Sequence, residues 1–141
     1  MSPHKVTEIL GRPRSIHNWY GRGGQVVEKE WRFVDRLSVI FLLHHGRLGN
    51  VNNVRTYSPR DRLPNGLHVN SPERVVRRTV PSSVCGQYSG TTDGRWPKGQ
   101  VCNWFPRQRK NLCAPYLSFY MKHTGGRVKY IELSDGLAFG C

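Results

Sequence analysis

Between Arg74 and Tyr130 the sequence places eleven cationic side chains, Arg74, Arg77, Arg78, Arg95, Lys98, Arg107, Arg109, Lys110, Lys122, Arg127 and Lys129, against Asp93 alone. Like charges confined to one folded region repel each other and weaken the compact state unless a polyanion neutralises them. The window holds most of a formal net charge of +13 carried by 141 residues. Sixteen of the 22 cations are Arg, whose planar fork meets phosphate oxygens two at a time where Lys offers a point charge. A chain of this kind is expected to complete its fold against an acidic partner.

Enough apolar material exists for a thin core. Leu, Ile, Val and Phe supply 34 of the 141 residues, above the level of about 20% below which a highly charged chain stays disordered. The length suits one domain. The longest uninterrupted apolar run, Val39 to Leu43, falls far short of the ~18 residues of a spanning helix, so no transmembrane segment is expected. The N-terminus shows no apolar core of a secretory signal before Gly11, which points to an intracellular protein. An organellar and in particular mitochondrial location fits the Arg-bearing first 24 residues, and a cytoplasmic one is equally compatible.

Helix formers are scarce, with 2 Ala, 4 Gln and 2 Met, while Val contributes 14 residues and Gly and Pro together 24; such a composition favours strands and irregular backbone. One helix is expected over about 27–45, because Trp31, Val34, Leu37 or Ser38, and Phe41 recur at helical spacing. Glu28 and Glu30 would sit in its first turn, and His44-His45-Gly46 would end it. Residues 1–26 read as a basic N-terminal arm. The stretch 46–83, punctuated by Asn50, Asn52, Asn53, Pro59, Pro64-Asn65-Gly66, Pro72 and Pro81, reads as irregular chain laid on a partner, with one short hairpin at Asn65-Gly66. From residue 84 to 141 short apolar clusters predict a small antiparallel sheet, its best hairpin joining Val128–Leu133 to Leu137–Phe139 across Ser134-Asp135-Gly136. The expected fold class is therefore α+β: a helix, a small antiparallel sheet and extended irregular arms.

No motif names a reaction. Phosphate-loop, dinucleotide, HExxH and GxSxG patterns are missing. Cys85, Cys102, Cys113 and Cys141 are widely spaced without a CxxC, so the expectation is buried thiols with no metal and no cofactor. A zinc site on Cys85, Cys102, Cys113 and His123 is the lesser alternative. A stable disulfide is disfavoured in a reducing compartment.

The basic window also carries Trp96 and Trp104, each beside a turn and a cationic cluster. Bases stacked on exposed rings, with cations tracking phosphates, is a common way of holding RNA. Arg12, Arg14 and Arg22 form a second cluster, where Arg22-Gly23-Gly24 resembles the unit of RGG-type RNA-binding segments. The sequence thus predicts a structural RNA-binding protein of a large ribonucleoprotein such as a ribosome, touching RNA and neighbouring proteins. The alternatives are an accessory structural subunit of an organellar protein complex and a small metal-free ribonuclease using His44, His45, His68 and His123 with Arg78 or Lys122.

Overall fold

The computed structural model describes residues 1–91, 97–105 and 115–135. Eight strands, all antiparallel, form one sheet. They are β1 (Ser15–Tyr20), β2 (Val26–Arg32), β3 (Leu37–His44), β4 (Arg47–Thr56), β5 (Val84–Tyr88), β6 (Gly99–Trp104), β7 (Tyr116–Met121) and β8 (Val128–Ser134), in the order β1-β2-β3-β4-β8-β7-β6-β5. Two short helices complete the described chain, α1 (Pro3–Leu10) and α2 (Glu73–Thr79). The architecture is mostly β, which corrects the α+β expectation of one long helix, a small sheet and irregular arms.

The largest departure is the expected helix over 27–45. Those residues form the β2–β3 hairpin, closed by the Phe33 N–H donating to the Leu37 carbonyl at 2.8 Å. Val34, a core position on helical spacing, is 76% exposed in the turn. Trp31 and Val39 instead face each other across the hairpin, as do Lys29 and Phe41, and β-branched Val and Ile favour this pleated setting. His44-His45-Gly46 is a second hairpin corner: His44 pairs with Arg47, leaving His45 (φ 50) and Gly46 (φ 77) as a two-residue turn with both central residues left-handed. The chain then continues as β4, whose Asn50, Asn52 and Asn53 lie within a ten-residue strand rather than an irregular arm.

Both helices lie on the same face of the sheet. On one half, Val6 of α1 packs with Val39 and Phe41, flanked by Trp31, Phe33, Leu48 and Val51. On the other, α2 and the segment before it bring Leu67, Val69, Val76 and Val80 onto Cys102, Phe119, Met121, Val128 and Ile131. Buried Glu73 anchors α2: its carboxylate accepts from the Gly125 N–H at 2.6 Å, the Arg77 Nε at 2.8 Å and the Gln100 side chain at 3.3 Å. Under α2 a disulfide joins Cys85 to Cys102, which are directly opposed on β5 and β6. It corrects the expectation of free thiols and ties edge strand β5 to its neighbour.

Among the described residues no helix or loop covers the opposite face, and the sheet curls around it. Register shifts at Trp19/Tyr20, at Ile40 to Leu43 and at Tyr120/Met121 supply the local twist by which bulges bend a sheet.

Candidate functional site: a pocket in the curled sheet

Strand alternation sends a second set of side chains to the other face, and this set mixes charged groups with apolar and aromatic ones. Glu28, Glu30 and Arg32 of β2 oppose Leu42, Ile40 and Ser38 of β3, and Arg55 of β4 stands between Ser38 and Glu132 of β8. Glu28, Glu30, Arg55 and Glu132 are all buried, as are Ser38, Asn53 and Ser134. With Glu73 beneath α2, four of the five Glu residues are buried in a chain of 22 Lys and Arg. The described surface is correspondingly basic, and the interior of the curl is not.

Ionised groups are buried only when paired and hydrogen-bonded, and the pairing is visible. The Glu132 carboxylate accepts from the Arg55 Nε at 2.7 Å and from the Asn53 side-chain amide at 2.7 Å. Asn53 in turn accepts from Asn52. Arg55 donates to the Tyr57 hydroxyl at 3.1 Å, and its guanidinium carbon lies 4.5 Å from the centroid of the Tyr130 ring. Burial by itself lowers the guanidinium pKa of Arg55, but the Glu132 charge and the tyrosines around it outweigh that and hold it above its ordinary value. Arg32 donates to Glu30 at 2.9 Å. Burial raises the Glu30 carboxyl, yet hydrogen bonds from Arg32 and Ser38, together with the Arg32 and Arg55 charges, leave it below the usual carboxylate value.

Beyond this network the curl forms a half-open cavity of about 490 Å³. Its lining joins Glu28 and Leu42 of β2 and β3 to Val84, Gly86 and Tyr88 of β5, and between them lie Tyr116, Ser118, Tyr120, Tyr130 and Glu132 of β7 and β8. In sheet order β2 and β5 are separated by six strand spacings, roughly 29 Å in a flat sheet at about 4.8 Å per strand. Their meeting around one cavity shows how strongly the sheet is rolled. Tyr120 stacks on Tyr130 with ring centroids 4.7 Å apart and an interplanar angle of 12°, while its hydroxyl donates to the Lys98 carbonyl at 2.6 Å. The Ser118 hydroxyl donates to the Asn103 side chain at 2.7 Å. Burial raises the hydroxyls of Tyr116, Tyr120 and Tyr130 above the ordinary tyrosine value, so all three are neutral donors at neutral pH. A concave, largely apolar pocket of a few hundred Å³ with a few fixed polar groups is the usual form of a small-molecule site.

The residues expected to hold RNA lie elsewhere. Arg74, Arg77 and Arg78 are exposed on α2, with Arg77 paired to Glu73, and exposed Arg127 lies beside them, donating to the Asn70 carbonyl at 2.9 Å. Lys98, Lys122 and Lys129 are exposed at or near strand ends. Arg12 and Arg14 precede β1, whereas Arg22 sits in the β1–β2 turn at its other end, so β1 separates that cluster rather than gathering it. The Arg22-Gly23-Gly24 step is this hairpin corner, where the Gly24 N–H donates to the Gly21 carbonyl at 2.9 Å. Trp104, expected to stack on bases, is half-buried against the core beneath α2. Arg95, Trp96, Arg107, Arg109 and Lys110, with Cys113 and Cys141, lie outside the described residues, as does the expected hairpin partner 137–139. Strand β8 pairs instead with β7 and β4. No histidine lines the cavity: His44 and His45 turn between β3 and β4, His68 contacts Ser71 at 3.0 Å, and His123 is exposed.

Among the described residues one group has metal-ligand spacing, Glu73 with Cys85 and Cys102. Its two sulfurs are bonded to each other and Glu73 is committed to Arg77, Gln100 and Gly125. Thiolate is the metal-binding form of cysteine, so this group, and the zinc alternative built on the same two cysteines, does not fit a metal in the oxidised protein.

No family model and no curated protein matches the sequence. The fold resembles that of a solved extracellular protein containing an SCP domain from Bacillus anthracis, at 11% identity and a TM-score of 0.52, over 94% of this chain and 42% of that one. A cysteine-rich secretory protein from Staphylococcus aureus aligns at 10% identity and a TM-score of 0.48, over 93% and 42% of the two chains. The chain thus spans less than half the length of either structure. The likeness of fold to an extracellular protein and the disulfide overturn the expectation of an intracellular, structural RNA-binding component of a ribonucleoprotein.

Proposed function

We propose that this chain is a ligand-binding β module of an extracytoplasmic protein, taking a small molecule into the cavity of its rolled sheet. The carrying observation is the cavity of about 490 Å³ lined by tyrosines and two buried carboxylates. Keeping four Glu side chains from water in a strongly basic chain is costly, and three of them, Glu28, Glu30 and Glu132, sit on this one face, where Glu28 and Glu132 line the cavity. Groups held in so expensive an arrangement cluster at functional sites. An oxidising location is supported by the disulfide and by the likeness to an extracellular protein.

Gly86 offers a clean test. It lines the cavity from edge strand β5, and a Cβ built on it meets no atom of the described residues within 4 Å, so Gly86→Phe places a ring at the cavity with little strain against them. A ligand-observed NMR fragment screen against the native protein should yield hits that disappear in Gly86→Phe while its melting temperature is unchanged. Hits that survive the substitution, or a screen without hits, would contradict the assignment.

A further inference from the structure

We infer that the end of the sheet where β2 turns into β3 carries a second site, one that takes a small phosphate monoester. Arg14, Arg32 and Arg36 line a hollow of about 530 Å³ there together with Tyr57. Among the described residues it shares no lining residue with the cavity of the rolled sheet, so it stands apart from the ligand-binding role of that cavity.

The backbone places each arginine. The Arg14 N–H donates to the Arg32 carbonyl at 2.8 Å, carrying the β1–β2 ladder one residue beyond Ser15, and the Tyr57 N–H donates to the Arg36 carbonyl at 2.9 Å, tying the β2–β3 turn to the end of β4. Buried Glu30 holds Arg32 through a single nitrogen at 2.9 Å, which leaves the guanidinium fork with further N–H donors. The Tyr57 hydroxyl accepts from Arg55 at 3.1 Å and keeps its own proton as a donor. Arg36 is the most informative of the set. Phe33 and Leu37 close a three-residue turn whose last position, Arg36, is left-handed at φ 59, a position that Gly fills without strain. The other non-glycine residues of positive φ among the described ones are His45 and Asn70, types enriched in that region as Arg is not. Strain retained under a long cationic side chain points to function.

Charge then selects the ligand. Three guanidinium groups against the one Glu30 carboxylate leave an excess of two positive charges, while Asp35, in the same turn, is exposed and outside the lining, where solvent screens it. A phosphate monoester carries about two negative charges at neutral pH, and its oxygens suit guanidinium forks. A lone carboxylate would balance half of that excess. Phe33 and Leu37 give the wall an apolar part for the organic body of the ester.

Calorimetry on the native protein with phenyl phosphate, inorganic phosphate and benzyl alcohol tests this. Phenyl phosphate should bind about tenfold or more tightly than either comparator, with the margin over the alcohol shrinking as salt rises. Arg36→Gly and Arg14→Gln should each weaken it about tenfold. In Arg36→Gly the melting temperature should equal or exceed that of the native protein, because the left-handed strain is relieved; a purely structural arginine would lower it. Absence of phenyl phosphate binding, equal binding of benzyl alcohol, or affinity unchanged in both variants overturns the site. Loss of phenyl phosphate in Gly86→Phe would put the ester in the rolled-sheet cavity and also overturns it. Inorganic phosphate binding as tightly as the ester overturns the organic body. Retention on phosphatidylcholine vesicles containing phosphatidic acid, with no affinity for phenyl phosphate in solution, assigns the phosphate to a lipid headgroup and overturns the soluble ligand.

Discussion

Replacing Arg55 by Met tests whether the polar network inside the curl is built from true charges. Both Arg55 and Glu132 have side chains only 4% exposed, so the substitution strands the Glu132 carboxylate with a single remaining donor, Asn53. Removing one partner of a buried ion pair costs about 3–5 kcal/mol. Met preserves much of the Arg stem, so the packing loss adds little, of the order of 1 kcal/mol. For a chain of this length each kcal/mol lowers the melting temperature by roughly 3 °C, giving a drop of about 12–18 °C. Urea denaturation with the disulfide intact is the assay, and the double variant Arg55→Met/Glu132→Gln should recover more than half of the loss because no charge is then left unpaired. A single-variant cost below about 1 kcal/mol, or a double variant no more stable than the single, would show that Glu132 is not held as a buried carboxylate.

Three further outcomes follow from the same structure. Phe119 is fully buried beneath α2, so Phe119→Ala should destabilise by about 3–5 kcal/mol in the same denaturation assay, and a cost under 1 kcal/mol would contradict the placement of the core. The Cys85–Cys102 bridge closes a sequence separation of 17 residues; Cys85→Ala/Cys102→Ala should cost about 3 kcal/mol and weaken ligand retention by freeing β5, whereas unchanged stability would mean the bridge is not formed in solution. Glu30 and Glu73 are held below the ordinary carboxylate value, so their stabilising contribution is complete above the unfolded value of about 4.3 and is lost as pH falls through their lower folded values. Tyr116, Tyr120 and Tyr130 are held above theirs, so their contribution is complete below about pH 10 and is lost as pH rises through the folded values. The denaturant midpoint should therefore fall on both sides of a neutral plateau, and a midpoint constant down to about pH 3 would contradict the acid limb.

The β character of the chain was legible in its 14 Val and 2 Ala, and within the described residues the apolar clusters of the second half coincide with β5, β6, β7 and β8. The β2–β3 hairpin was not, because its inward face is polar on one side of the sheet: Glu28, Glu30 and Ser38 are as buried as Val39 and Phe41. Period-two alternation was present, but with carboxylates in place of apolar residues it does not register as a core face, and Trp31, Val34 and Phe41 imitate a helical stripe by accident of spacing. Asn52 and Asn53 misled for the same reason. They resemble turn formers yet are buried and bonded to the Glu132 network.

The pocket left a faint trace of its own. Glu28 and Glu30, and likewise Tyr130 and Glu132, are two residues apart within strand-like runs, the spacing that puts both side chains on one face. Nothing in the sequence says that β5 returns to meet β2, which depends on curvature and on the long-range pairing of β4 with β8. Charge was the loudest sequence feature and the least informative about the site, because the acids that matter are hidden inside.

Backbone NMR tests the central claim most directly. When a fragment hit is titrated into isotope-labelled native protein, the amide shifts should concentrate on Gly86, Asn103, Ser118, Tyr120 and Tyr130, the strands around the cavity, and should vanish in Gly86→Phe. Shifts confined to α2 and its arginines, or spread evenly over the surface, would place binding outside the rolled sheet and contradict the account.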